Sequence, residues 1–236
     1  MCTVSYIPKK DGFILTSNRD ESLFRPQSLE PEKHFLFGQE ILFPKDPEAN
    51  GTWIATSDKG RTVCLLNGGF ERHIHLPQYR LSRGLVVLDY FKFSDAETFS
   101  KAYDFEGIAP FTLVIVEENS VRKLSEIRWT GESVYHKEMD SEKQFIWSSV
   151  TLYSHETIAA RANWFINWLS ENQEPTYFEI LDFHHFAGGS NNQNSLVMQR
   201  PDHKQTISIT QVQQMNGEKV MRYEDLLVHE MHQLKI

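Results

Sequence analysis

Hydrophobic and polar positions alternate from the start of the chain. Val4 and Tyr6 sit between polar neighbours, Lys9-Lys10-Asp11-Gly12 is a turn signal, and Phe13-Ile14-Leu15-Thr16-Ser17 reads as a returning strand. Two registers fit this hairpin. With Lys9 through Gly12 as a four-residue loop, Cys2 lies opposite Arg19; with only Asp11-Gly12 as the turn, Cys2 lies opposite Glu21 and Thr3 opposite Asp20. A second hairpin is predicted across residues 51–69, two β-rich runs around Asp58-Lys59-Gly60 that close on Asn67-Gly68-Gly69. Residues 22–50, between the two, are rich in Pro, Glu and Lys with short aromatic pieces. They predict a long irregular excursion, placed over the mouth of a pocket beside Cys2 or along a sheet edge.

The period then changes. Leu85, Val86, Val87, Leu88 and Phe91 predict a buried helix within residues 82–91, and Ser94 with Glu97 forms a capping box for a second helix over 95–103. A β meander follows at 111–116, 121–128, 134–137 and 144–147, expected to supply a second sheet. Ser154 caps a helix running to about Ser170, with Ile158, Ala159, Ala162, Phe165, Ile166 and Leu169 on its apolar side. Trp164 and Trp168 belong to core packing rather than a cofactor box. A shorter helix over 176–186 and a final hairpin, 196–200 with 205–212, complete the elements; the acidic end, 218–236, shows no nameable chemistry. This order fits an α+β fold, a four-layer α/β/β/α sandwich in one domain spanning 1–236.

Composition narrows the function classes. The chain has 236 residues, 40% hydrophobic and 24% charged, enough for a substantial core. A net charge of -8 and a pI near 5.7 argue against nucleic-acid or anionic-membrane partners, which need clustered Lys and Arg. Lys9 and Lys10 interrupt any signal-like apolar run, and no stretch is long enough to span a membrane, so a soluble cytoplasmic protein is expected. Two cysteines, Cys2 and Cys64, make no disulfide framework, and Cys64 lies in a strand-like apolar run as a core residue. The pairs His73/His75 and His184/His185 lack a third ligand at metal-site spacing, and no phosphate loop, dinucleotide fingerprint or nucleophile elbow is present. No cofactor is expected.

One stretch carries chemistry. Cys2 stands directly behind the initiator, where aminopeptidases remove Met1, so the mature chain is expected to carry a thiol and an α-amine on one residue. With an amine titrating near ~8 and a thiol near ~8.5, the amine can accept the thiol proton through a bridging water. The hairpin brings the Asn18-Arg19-Asp20-Glu21 cluster beside this cysteine. Strand alternation puts Asn18 and Asp20 on one face and Arg19 and Glu21 on the other, so only one pair faces the thiol. Taken as residue types alone, an accidental cysteine and a solvated charged loop would also fit.

The opening Met1-Cys2-Thr3, the hairpin, the Asn18-Arg19-Asp20-Glu21 string and the Gly51-Thr52-Trp53 strand leading to Asn67 resemble the NRDE family. That family, also called the transport and Golgi organisation 2 family, is similar to cysteine N-terminal-nucleophile hydrolases. The resemblance implies that Cys2 attacks a linear amide or thioester and that Asp20 positions the amine. It also implies that Arg19 favours the thiolate or a substrate anion and that Asn67 holds the oxyanion. Arg19 and Asp20 are adjacent here and separated in that hydrolase branch, so one role passes to Asn18 or Glu21. Two substrate-contacting positions also depart. Ser149 stands where relatives have Asn, and Asn192-Gln193-Asn194 replaces a Thr-Arg-Ser string, so the late positive charge is missing there and Ser149 and Asn194 are the candidate substrate-binding residues. The implied partner is a small-molecule substrate or apolar ligand. The family's association with intracellular haem and lipid handling implies, as the competing class, a binding or trafficking factor with Cys2 as a thiolate ligand to haem.

Overall fold

The computed structural model of the chain describes residues 2–189 and 193–236. Two compact units form, one from Met1–Arg25 with Glu142–Lys235 and the other from Pro26–Ser141 with Ile236. Each is built on one antiparallel sheet carrying two helices.

The first unit begins with β1 (Cys2–Lys9) and β2 (Gly12–Ser22), paired from Lys9↔Gly12 to Cys2↔Arg19. The tight reversal at Lys10-Asp11 therefore selects the register that puts Cys2 opposite Arg19. Gly12 is required at the turn exit by a close approach. A Cβ there would stand 1.9 Å from the Gln214 carbonyl oxygen of the neighbouring strand, closer than any relaxation of a sheet backbone absorbs. Gly12→Ala is therefore expected to cost about 2–4 kcal/mol of stability, read from urea unfolding.

The second unit holds β3 (Leu29–Leu36), β4 (Gln39–Lys45), β5 (Ile54–Ser57) and β6 (Arg61–Asn67). Next come α1 (Arg83–Asp89), α2 (Ala96–Ala102), β7 (Phe111–Glu118), β8 (Arg122–Trp129) and β9 (Val134–Met139). Its seven strands lie in sequence order, so every pairing is a hairpin or a neighbour. Helix residues Val86, Val87, Phe91 and Phe99 pack with Ile41, Val63, Leu113, Ile115 and Ile127 in a core buried to 2% exposure or less.

Two expectations are corrected within this unit. Residues 22–50 are not an irregular excursion: β3 and β4 form an edge hairpin. The turn that makes it possible, Phe37-Gly38 with φ of 52° and 72°, needs a left-handed phenylalanine that sequence does not announce. Pro31 is tolerated because β3 is an edge strand and bulged between Leu29 and Glu32. The cap of α2 is Asp95, whose carboxylate accepts from Thr98 N at 2.7 Å, while Ser94 donates to Asp95 at 2.6 Å.

The remaining elements return to the first unit. They are β10 (Phe145–Ser148), α3 (His155–Glu171), α4 (Tyr177–Phe186), β11 (Lys204–Met215), β12 (Glu218–Asp225) and β13 (Glu230–Lys235), giving the strand order β10-β1-β2-β11-β12-β13. So β10, read as part of the meander, leaves that sheet and pairs with β1 instead. The expected hairpin between 196–200 and 205–212 is reduced to one isolated bridge, Gln199↔Gln205. Side chains compete for its backbone, with Met198 N donating to Thr206 Oγ1 and Ser195 Oγ donating to the Val197 carbonyl. Residues 218–236 instead provide two strands.

The two helices over this sheet start as expected. Ser154 accepts from Thr157 N, and Thr176 with Glu179 makes a complete capping box. Phe165, Ile180 and Phe183 pack on Ile7, Ile14 and Leu196, with Trp168 stacked at their margin as core.

Candidate active site

Strand alternation and register sort the residues around Cys2. Thr3, Ser5 and Ile7 of β1, with Ile14 and Asn18 of β2, contact residues of α3 and α4, and strand alternation puts Thr16 and Asp20 on that same face. Cys2 shares the opposite face with Arg19, its direct partner, and with Ser17. Cys2 is 2% exposed and Arg19 3%. Burial pushes the thiol above its ordinary value, the Asp20 charge adds to this, and Arg19 opposes it. Ser17 Oγ lies close enough to favour the thiolate, yet it makes no hydrogen bond of standard geometry; Ser208 and Thr210, paired across from Arg19 and Ser17, also carry buried unpartnered hydroxyls. The thiol thus sits on a polar, dehydrated face.

The main chain of Cys2 is fixed as well. Its carbonyl accepts from Ser149 N at 3.0 Å, which extends the β10–β1 ladder by one residue. Ser149, 1% exposed, bonds Thr151 through its hydroxyl at 3.0 Å.

Asp20 faces the helices, on the side of β2 away from the thiol. One carboxylate oxygen accepts from Thr206 Oγ1 at 2.6 Å, and the other accepts from the Tyr153 hydroxyl. Burial raises the Asp20 carboxyl above its ordinary range, against the pull of Arg161, Thr206 and Tyr153. Tyr153, desolvated and beside Asp20, is held well above the ordinary phenol value and stays a donor. Glu21 Oε1 accepts from Ser22 N at 2.9 Å, next to the strand end.

Asn18 is committed to the scaffold. Its amide nitrogen donates to the carbonyls of His184 and Leu196 at 3.0 and 2.9 Å, and its oxygen faces His184 Nδ1 at 2.5 Å. The other ring nitrogen meets Ser5 Oγ at 2.7 Å, so Asn18, His184 and Ser5 form a closed buried chain. With Asn18 accepting, His184 carries its proton on Nδ1, and Ser5 donates to Nε2.

Burial, with His185 and Arg161 contributing, drives His184 from 6.5 down to about 3. The unfolded chain therefore takes up this proton first: the stabilising contribution is complete above the unfolded value and is lost as pH falls through the interval. The slope is about 1.4 kcal/mol per pH unit. Urea unfolding between pH 7 and 4 is expected to show this acid slope in the native chain and a flatter one in His184→Gln.

Asn194 gathers charge from elsewhere in the chain. Its backbone oxygen accepts from Arg161 Nε at 3.1 Å and its side-chain oxygen from Arg200 at 3.2 Å. The 193–194 segment has no arginine of its own, yet two guanidiniums reach it. Met1, whose removal is expected, and Asn192 lie outside the described residues. Sequence reasoning missed Arg161, Tyr153, Thr206 and His184. The one local signal was Arg161, a lone charge among Ile158, Ala162 and Phe165 on the apolar stripe of α3.

Asn67 ends β6 in the second unit, opposite Phe111 and followed by Gly68 at φ 92°. Gly68 N donates to the Pro110 carbonyl and the Gly68 carbonyl accepts from Thr112, so the turn that presents Asn67 is pinned on both sides. Cys64, also in β6, is buried and, like Cys2, outside any disulfide. Among the described residues, no group of three His, Cys, Asp or Glu could hold a metal ion, and no helix is long and apolar enough to cross a membrane.

Solved structures share this fold. A variant of the conjugated bile acid hydrolase from Clostridium perfringens matches with a TM-score of 0.61 at 10% identity, over 99% of this chain and 92% of that one. Penicillin V acylase from Agrobacterium tumefaciens gives 0.58 at 9% identity, over 100% and 86%. The Caenorhabditis elegans ortholog of N-acylethanolamine-hydrolyzing acid amidase gives 0.57 at 10% identity, over 89% and 92%. The shared architecture is the α+β fold of N-terminal-nucleophile hydrolases, with antiparallel sheets. No match was found among curated protein sequences. The sequence profile of the transport and Golgi organisation 2 family covers residues 1–216, and the chain belongs to that family.

Proposed function

We propose that this protein is a cysteine N-terminal-nucleophile acyl hydrolase or acyltransferase acting on a linear amide or thioester after loss of Met1. The observation that carries the reading is the placement of Cys2 at the first position of a buried interior strand, opposite Arg19 and with its own carbonyl tied to Ser149. A fixed main chain and a cation that favours the thiolate suit a nucleophile, and the cation works against the burial that holds the thiol protonated.

In the proposed reaction the α-amine of Cys2 takes the thiol proton, and sulfur bonds to the substrate carbonyl carbon. The C–N or C–S bond of the tetrahedral intermediate then breaks as the amine returns the proton to the leaving group, and the family resemblance gives the oxyanion contact to the Asn67 side chain. Water or another acceptor then cleaves the acyl-thioester and frees Cys2. Asp20, held by Tyr153 and Thr206 on the helix side, suits a role through the α-amine and main chain, whereas Arg19 suits direct contact with sulfur or a substrate anion. Asn18 would serve the scaffold and leave the chemistry to its neighbours.

The test is turnover by processed protein against a panel of acyl amides and acyl thioesters. Release of the amine or thiol, at a rate proportional to the fraction of chains lacking Met1, is expected. Absence of turnover across the panel by fully processed protein removes the proposal.

A further inference from the structure

Arg161 is the largest side chain buried to zero exposure. A guanidinium stripped of water is costly unless its charge is balanced and its donors are used. Its donors are spread over three places: Nε on the Asn194 carbonyl at 3.1 Å, one terminal nitrogen on the Ser195 carbonyl at 2.5 Å, and the other on the hydroxyl of Thr3. Thr3 directly follows Cys2. The flat face of the guanidinium lies 3.7 Å from the Tyr153 ring centroid, and the Tyr153 hydroxyl donates to Asp20. One side chain on α3 thereby ties the nucleophile strand, the carboxylate strand and the segment after α4.

Charge balance points the same way. Asp20 is fully buried, and Arg161 is the strongest opposing influence on its carboxyl after burial. The other titratable groups acting on Asp20 or on Arg161's stacked ring are Tyr153, the chain's own α-amino group, Cys2, and Arg200, whose guanidinium is 5.2 Å from the Tyr153 centroid. Tyr153 and Cys2 are neutral when protonated. Arg200 spends its donors on the carbonyls of Gln193 and Leu152 and on Asn194.

We propose that Arg161 is the positioning residue of the Cys2 site, the buried counter-charge to Asp20 and, through Tyr153 and Thr3, the clamp that fixes the carboxylate against the nucleophile strand. The inference rests on the hydrolase reading for its catalytic consequence. The Arg161–Asp20 link is measurable without that consequence.

The decisive experiment compares Arg161→Met, Arg161→Lys, Asp20→Asn and the Arg161→Met/Asp20→Asn double variant in the full processed chain. Unfolding equilibria are followed from pH 4 to 8. Removing the cation raises the Asp20 midpoint further, so the folded state holds its proton longer than the unfolded chain does. Arg161→Met then loses stability as pH rises, its unfolding constant growing relative to the native chain by about tenfold per pH unit across the interval the midpoint has moved. Asp20→Asn abolishes that pH dependence, and Arg161→Lys retains most of the native profile.

A loss of equal size at every pH, unchanged when Asp20→Asn is added in the double variant, marks Arg161 as packing alone and overturns the proposal. Should Arg161→Met fail to fold, recovery of folding in the double variant supports it and failure of both overturns it. The catalytic reading fails separately. If the linkage appears but native protein shows no acylation of Cys2, Arg161 positions Asp20 in a protein that is not a Cys2 hydrolase.

Discussion

Cys2→Ala is expected to abolish turnover of any amide or thioester the protein accepts, a loss on the order of 10⁴-fold or more, because no other group can form the acyl bond. The fold should tolerate the change. Cys2 is small, and deleting one sulfur from a strand end held by backbone bonds to β2 and β10 costs about 1–2 kcal/mol at most. Cys2→Ser is the sharper variant. Its hydroxyl keeps size and hydrogen bonding, but it lacks a thiol's ease of ionisation, so activity should fall nearly as far. Residual activity above about a tenth in either variant would place the nucleophile elsewhere. The readout is the initial rate with the best substrate of the panel, at matched extents of Met1 removal.

The second large effect is expected at Asn67. If its amide donates to the oxyanion, Asn67→Ala lowers kcat by about 10²–10³-fold, roughly 3–4 kcal/mol, with little change in KM. Asn67→Asp should be worse than Ala, because a carboxylate repels the developing negative charge. An Asn67→Ala enzyme with unchanged kcat and raised KM would instead make Asn67 a ground-state contact. Gly68 at φ 92° turns the chain immediately after Asn67, and its peptide is bonded to Pro110 and Thr112.

Much of the fold could be read from local sequence, because turns and caps are local chemistry. Lys9-Lys10-Asp11-Gly12, Asp58-Lys59-Gly60, Ser154 and the Thr176/Glu179 box each occur where their residue types predict. What could not be read depends on partners far apart in the chain. Nothing within residues 144–148 says that β10 will abandon the meander and pair with β1. The Phe37-Gly38 turn hides because phenylalanine rarely adopts a positive φ.

The site divides in the same way. Cys2 and its partner strand were legible, and alternation correctly separated Asn18 and Asp20 from Arg19. Which pair faces the thiol was fixed by helices contributing His184 and Arg161 and by Tyr153 just ahead of α3, and Asp20 meets Thr206 across 186 residues of sequence. An arginine on the apolar stripe of α3 is the kind of local inconsistency that accompanies a buried polar network. Arg161 also changes the meaning of the missing late arginine, since the 193–195 segment meets two guanidiniums supplied from α3 and from Arg200.

The proposed reaction requires a covalent bond to one sulfur. Rapid quenching of processed protein with a slowly hydrolysed acyl thioester, followed by mass spectrometry of the N-terminal peptide, tests it most directly. The predicted result is a peptide beginning at Cys2 that carries the mass of the acyl group, forming and decaying at rates consistent with turnover and absent from Cys2→Ala. Turnover with no acyl mass on that peptide, or the same adduct in Cys2→Ala, would contradict it.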